Sequence, residues 1–291
     1  MQPGRASRTA EQNALFRALE SALPEGRRLF DDSLAQIFLT GPYRLGVPLA
    51  FIPGFRELIP WYIDYRWPGV RTSVVARTCL IDDMIENSLN EPVEQFVILG
   101  AGFDTRAYRL PQLRDVNVFE VDHPDTQAAK HEALRCRFTD LPNHVRFVPT
   151  NFKDRDLGTV MGDAGYRESA RTFVLWEGVT NYLTEDAVDA TLRWVSRASP
   201  DTRLLFTYVH SDIITRPSAF VGWENLFAAL ERSGERFTFG IDPDHLSEFL
   251  ALRGLTLESD IGAAEYRERY YKAAASKMRG HEFYRVALAR V

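Results

Sequence analysis

Apolar and polar positions along the chain change period near residue 90. Before it, residues 9–23 carry apolar side chains at helical spacing until Pro24 and Gly26 end the pattern. Residues 29–38 predict a second, short helix. The stretch 42–69 fits neither period. Pro42, Pro48, Pro53, Pro60 and Pro68 forbid one long helix there. Tyr43, Phe51, Phe55, Trp61, Tyr62, Tyr65 and Trp67 make a solvated linker a poor fit. Short pieces packed on the core or on a ligand are expected. Residues 74–89 return to helical spacing.

From Glu94 onward strand-like and helical runs alternate. Residues 96–99 form a continuous apolar run, as in a strand buried on both faces. Further strands are predicted at 116–121, 144–148, 172–176 and 203–209, with helices between them, notably at 124–136 and 185–198. This order predicts a parallel sheet with right-handed crossovers. A helical excursion should follow His210 to about residue 235, then a helix at 243–252. Residues 255–257 and 284–289 would be closing strands, and a short link between them would allow an antiparallel edge pairing. The expected division is an N-terminal helical and aromatic cap over 1–90 and a core over 91–291. A cap insertion at about 211–240 follows the fifth strand.

Composition narrows the function classes. With 291 residues, 45% hydrophobic and 26% charged, the chain suits one large domain or a core with a cap. The net charge of −5 and the absence of a Lys/Arg run argue against a nucleic-acid partner. Cys79 and Cys136 lie far apart and form no Cys-x-x-Cys pair, which speaks against a disulfide framework or zinc ribbon and for a reducing, cytoplasmic setting. The polar first ten residues lead to no expectation of a signal peptide. Nor is a membrane span expected, since no stretch of about 18 apolar residues occurs.

The candidate chemistry sits where the first strand ends. Phe96-Val97-Ile98-Leu99 runs into Gly100-Ala101-Gly102-Phe103-Asp104-Thr105. Glycines at such a turn let a ligand approach the backbone, and the carboxyl ends of strands are where open α/β sheets bind ligands. The second strand ends Phe119-Glu120-Val121-Asp122, where an acid can accept hydrogen bonds from the hydroxyls of a ribose. Glu120 and Asp122 share one face, so either is a candidate. A dinucleotide fingerprint would place Gly or Ala at position 105, whereas this chain has Thr105 preceded by Asp104, an acid that would repel a pyrophosphate. S-adenosylmethionine has no phosphate and escapes that penalty.

These residues resemble the leucine carboxyl methyltransferase family, including its bacterial polyketide O-methyltransferase branch. The matching stretches are Leu99–Arg106 with Tyr108-Arg109-Leu110, Phe119–Pro124 with Lys130, Trp176–Leu183, and Ala76-Arg77-Thr78 with Asp82-Asp83. The resemblance implies a Rossmann-like class I methyltransferase fold: an α/β sheet, mostly parallel, with an antiparallel edge strand. It implies S-adenosyl-L-methionine as cofactor, Arg77 on the methionyl carboxylate, Gly100 facing the methionyl moiety, Asp122 on the ribose, and Glu177 closing the pocket. Asn151 and Phe152 fall where the family has Asp-Leu beside the adenine. Asn151 departs from that pattern, although its amide oxygen can still accept from an amino group. Gly102, Asp104 and Glu120 complete the cofactor candidates. Alternatives stay open: Arg77 as a surface ion pair with Asp82 or Asp83, Glu177 as cap of the helix near Thr184, and Tyr182 as core.

Methyl transfer from a sulfonium is an in-line displacement that needs alignment and a dry site more than a metal. His123, His131 and His144 show no ligand spacing, so no metal is expected. A carboxylate acceptor is already ionised and is the favoured one; a hydroxyl acceptor would need a base. His210, with Asp212 as its orienter, is the candidate, and Tyr182 is the second residue expected on the acceptor side. Phe220, Trp223, Phe227, Phe237 and Phe239, together with the 42–69 stretch, would cap a flat or apolar small molecule. The competing functions are a nicotinamide oxidoreductase, disfavoured by Asp104 and Thr105, and a non-catalytic S-adenosylmethionine-binding sensor.

Overall fold

The structure is a computed structural model that describes residues 8–150 and 156–291. Its centre is one seven-stranded sheet built from β1 (Gln95–Leu99), β2 (Asn117–Asp122), β3 (Val145–Pro149), β4 (Thr172–Trp176), β5 (Arg203–Val209), β6 (Thr256–Gly262) and β7 (Tyr284–Arg290). The order is β3-β2-β1-β4-β5-β7-β6. The first five strands are parallel, while β7 runs antiparallel to both β5 and β6. This is a Rossmann-like α/β sheet. Every residue of β1 and β4 is buried, which explains their unbroken apolar run. The strand order reverses between β1 and β4, so their carboxyl ends open the crevice in which such sheets bind ligands.

Ahead of the sheet come α1 (Arg8–Ser21), α2 (Gly41–Leu49) and α3 (Phe55–Arg66). Residues 29–38 form no α-helix; only a 3-10 turn, Ser33–Phe38, is present. Phe16, Leu19 and Phe38 join Val75 and Phe103 in one apolar cluster, with the Phe38 and Phe103 rings stacked at 4.8 Å. The proline-rich stretch is two helices, with Pro48 and Pro60 inside them. Its aromatics pack only in part. Tyr43 and Trp67 are half-buried against that cluster, whereas Phe51, Phe55, Trp61, Tyr62 and Tyr65 are 44% to 74% exposed.

The next helix, α4 (Val70–Ser88), corrects the expected boundary at residue 90. Ala76, Leu80, Ile81 and Ile85 pack on Phe96, Phe173, Leu205 and Val286 of the sheet, so α4 is a layer of the core and not part of a cap. A four-residue helix, α5 (Arg106–Arg109), follows β1, and α6 (Pro124–Arg135) follows β2. The opposite face is covered by α7 (Leu157–Asp163) and α8 (Glu185–Val195). After β5 the insertion forms α9 (Asp212–Thr215) and α10 (Trp223–Ser233). Then come α11 (Leu246–Ala251) and α12 (Ala263–Tyr271). Because α12 lies between β6 and β7, their antiparallel pairing is not made by a short link. Among the described residues no helix is long and apolar enough to cross a membrane.

Candidate active site

The turn after β1 admits only glycine at two points. Gly100 and Gly102 have φ of +69° and +44°, in the left-handed region. A Cβ on Gly100 would lie 2.3 Å from Cγ2 of Val179, and one on Gly102 would lie 3.3 Å from Cβ of Ala10 in α1. The turn is thus pinched between the segment after β4 and the first helix. Asp122, ending β2, pins it from below: the Gly102 and His123 amides each donate to its carboxylate at 2.5 Å. Burial pushes the Asp122 carboxyl up, against the pull of these two bonds.

The structure separates the two acids of β2. Glu120 is fully buried with Oε2 2.8 Å from Nζ of Lys130, so it is a partner for that lysine and not a ribose ligand. Asp104 is likewise reassigned. The backbone and side chain of Arg106 both bind it, at 2.7 and 2.5 Å. Burial would raise the Asp104 carboxyl, yet Arg106, Lys130 and Arg17 hold it at about 2. It orients Arg106.

Arg106 belongs to a buried ion network. Its Nε meets Asp82 at 2.6 Å and its Nη1 meets Glu177 at 2.8 Å. Arg109 also binds Asp82, at 2.6 Å. Arg17 joins α1 to the site by donating to Asp32 at 2.8 Å and to the Phe103 carbonyl at 2.6 Å. Four guanidinium groups (Arg17, Arg77, Arg106, Arg109) therefore meet four carboxylates (Asp32, Asp82, Asp104, Glu177).

Arg77, on α4, is buried and donates from Nε to Glu177 Oε1 at 2.9 Å. Its guanidinium lies 5.3 Å from the centroid of the Tyr284 ring. Neither Asp82 nor Asp83 is its partner, which removes the surface-pair alternative. Among the described residues its two terminal nitrogens take no further hydrogen bond, so the fork is free on one side. Burial would raise Glu177, but Arg106 and Arg77 hold its carboxyl below the ordinary range. Glu177 does not cap the next helix, because the Thr184 side chain does so, accepting from Ala187 N at 3.3 Å.

On the acceptor side the expected base and orienter do not form a pair. His210 Nδ1 accepts from the Asp212 backbone amide at 3.1 Å, while the Asp212 carboxylate is 4.0 Å from Nδ1 and is bound by Arg216 at 2.5 Å. In a neutral ring with that contact the proton sits on Nε2. Tyr182 is half-buried with its ring 5.6 Å from that of Phe237. The sequence reading missed His281, which is buried beside Tyr284 and held at about 3 by burial, with Arg267 and Arg77 adding to the effect. It also missed Arg17 and Asp32, which carry no local signal. Arg106 and Arg109 carried one, in their three-residue spacing toward a common partner. Asn151 and Phe152 lie outside the described residues. Among the described residues no group of three or more His, Cys, Asp or Glu could hold a metal ion.

Set beside known proteins, residues 10–196 match the model of the leucine carboxyl methyltransferase family. The chain belongs to this family. Among its relatives in the leucine carboxyl methyltransferase family is Bacillus subtilis YktD, named as an S-adenosyl-L-methionine-dependent methyltransferase, 27% identical over 68% of this chain and 65% of that one. A Parafrankia relative with the same description, Franean1_4929, is 34% identical over 68% of this chain and 61% of its own length. For these two the match spans less than two thirds of the relative. Streptomyces coelicolor SCO7813, likewise so named, is 31% identical over 75% of each chain. A solved Thermobifida fusca structure named as a methyltransferase superposes with a TM-score of 0.61 at 15% identity, over 99% of this chain and 96% of that one, and supports the fold alone. The stretch matched by the leucine carboxyl methyltransferase model holds Arg77, Gly100, Asp122, Glu177 and Tyr182. It stops short of His210 and the insertion.

Proposed function

We propose that this chain is an S-adenosylmethionine-dependent O-methyltransferase acting on a small aromatic or polyketide-like molecule, at a carboxylate or hydroxyl oxygen. The observation that carries the reading is Arg77: a buried guanidinium, fixed on one side by Glu177 and unbonded on the other, and linked through Glu177 and Arg106 to Asp104, just after the Gly-x-Gly turn that Asp122 pins. The donor set suits the cofactor named for the relatives. Arg77 would take the methionyl carboxylate through its terminal nitrogens. Gly100 leaves backbone where a side chain would collide, and Asp122 offers lone pairs to ribose hydroxyls. The bound sulfonium supplies an activated methyl group and departs as a neutral thioether. The protein's part is to align the acceptor oxygen and exclude water. Cys79 and Cys136 are free, which suits a reducing cytoplasm.

The nicotinamide alternative loses ground on a second feature. Asp104 is neutralised by Arg106, so repulsion of a pyrophosphate is not the argument. The helix after the turn is only Arg106–Arg109, and the Thr105 hydroxyl donates to Asp32 at 2.7 Å. That leaves no long helix whose N-terminus could receive a pyrophosphate.

Calorimetry with S-adenosylmethionine and S-adenosylhomocysteine, against NAD and NADP, tests the cofactor. Transfer of a labelled methyl group, with the product identified by mass spectrometry, tests the reaction and separates enzyme from sensor. Binding of NAD without S-adenosylmethionine, or a product methylated on nitrogen or carbon, would overturn the proposal.

A further inference from the structure

Asn181 stands in the turn after β4, four residues beyond Glu177. Its side chain is 0% exposed, and neither its amide oxygen nor its amide nitrogen has a hydrogen-bond partner. Its backbone carbonyl accepts from Thr238 N at 2.8 Å. A buried carboxamide with both ends unsatisfied destabilises a fold and is rare in native proteins. Such a group is completed by a bound water or by a ligand.

The surroundings say what kind of molecule. The Thr238 hydroxyl donates to the Leu183 carbonyl at 2.7 Å, fastening the end of the insertion to this turn. The Thr9 hydroxyl donates to Glu235 Oε2 at 2.8 Å, fastening α1 to the same place across 226 positions of sequence. Among the described residues Glu235 Oε1 takes no hydrogen bond. Tyr182, next to Asn181 in sequence, sets its ring 5.6 Å from that of Phe237, two residues beyond Glu235, and the Phe237 ring lies 6.4 Å from that of Tyr284. Tyr284 in turn lies against the Arg77 guanidinium. The enclosure is therefore next to the proposed methionyl clamp, with Phe237 as its apolar wall.

We propose that Asn181, Tyr182 and Glu235 form the acceptor site, and that it takes an aryl or enol hydroxyl and not a carboxylate. The inference rests on the methyltransferase reading and narrows it. Asn181 both donates and accepts, as a hydroxyl requires. Glu235 accepts from the acceptor O–H, whereas an acceptor carboxylate would be set against it as a like charge. Arg77 gives no relief, being shared between Glu177 and the cofactor. In the transfer the acceptor oxygen bonds to the methyl carbon as the carbon–sulfur bond breaks. That electron pair stays on sulfur, and the hydroxyl proton passes to Glu235. This assigns the proton to a carboxylate where His210 lacks its orienter.

The test uses the full chain saturated with S-adenosylhomocysteine, titrated with 2-naphthol and 2-naphthoate. The expected result is at least a ten-fold preference for 2-naphthol. Glu235→Gln should reduce that preference about ten-fold, mainly by admitting 2-naphthoate. Asn181→Leu should weaken 2-naphthol about ten-fold, leave S-adenosylhomocysteine affinity unchanged and raise the melting temperature, since it removes an unsatisfied amide. Equal or tighter binding of 2-naphthoate, no binding of 2-naphthol, or unchanged binding in Asn181→Leu would each overturn the proposal. If the wild-type protein fails to bind S-adenosylhomocysteine, the methyltransferase reading falls and takes this one with it. If it binds S-adenosylhomocysteine and shows no preference for 2-naphthol, only the acceptor assignment falls.

Discussion

Arg77 and Glu177 stand one hundred positions apart in sequence and meet at 2.9 Å, Nε to Oε1. The contact joins α4 to the end of β4 and leaves one edge of the guanidinium unbonded. Arg77→Lys separates fold from function here, because it keeps a cation beside Glu177 and loses the planar fork. A hydrogen bond to a charged group contributes about 1.5–3 kcal/mol. Cofactor affinity by calorimetry should therefore fall about ten- to a hundred-fold. Unchanged affinity would remove Arg77 from the cofactor site. Arg77→Ala is a poorer probe, since it strands Glu177 with Arg106 alone and strips the Tyr284 ring of its cation.

Acid should expose the ion network. The Asp104 carboxyl is held at about 2 against an ordinary 3.8, so the folded state binds its proton less readily than the unfolded chain. A carboxyl lowered in this way stabilises fully above the ordinary value, and its contribution is lost as pH falls toward the folded one. Between about pH 4 and pH 2 the wild-type protein should lose about 2 kcal/mol that Asp104→Asn does not lose. Urea unfolding of both proteins across that window measures the difference. Parallel curves would show that Asp104 is not held by its arginines.

Gly100→Ala combines two faults: a positive φ and a Cβ set 2.3 Å from Val179. The backbone alone costs about 1–2 kcal/mol. Thermal melting should show a clear loss, with weaker cofactor binding. Adding Val179→Ala should recover part of the stability and no more, because the backbone strain remains. Full recovery would mean that the glycine is needed for space only.

Glu120 and Asp122 should part company on substitution. Glu120→Gln leaves Lys130 buried without its counter-charge, a loss of about 3–5 kcal/mol. It should leave cofactor affinity alone if the variant folds. Asp122→Asn should do the opposite in emphasis, weakening the cofactor about ten-fold with a smaller change in melting temperature. Reversed results would return the ribose to Glu120.

The sheet was legible because its signal is local. Residues 172–176 and 203–209 read as strands, and the structure places β4 and β5 there. Buried parallel strands announce themselves by composition. Contacts between distant segments do not. Nothing in the neighbourhood of Arg17 points to Asp32 or to the Phe103 carbonyl. His210 and Asp212 misled for the opposite reason. They are close in sequence, but Asp212 opens α9, so its amide faces the ring and its carboxylate turns to Arg216, one helical turn on. The aromatics of 42–69 were legible as apolar, not as outward-facing, because orientation depends on which side of α2 and α3 meets the core. For Glu120 and Asp122 the strand period gave one shared face. Lys130 on α6, against Glu120, and the Gly102 and His123 amides, against Asp122, separate them.

The ion network of four guanidinium groups and four carboxylates carries no net charge of its own. Beyond a Debye length, about 10 Å at 0.1 M salt, such a set of dipoles exerts little field on an approaching molecule. Capture then depends on shape and on bonds made at contact, without long-range steering. The network should accordingly add little ionic-strength dependence to the rate at which a small charged ligand associates, even though its groups are among the most highly charged in the protein.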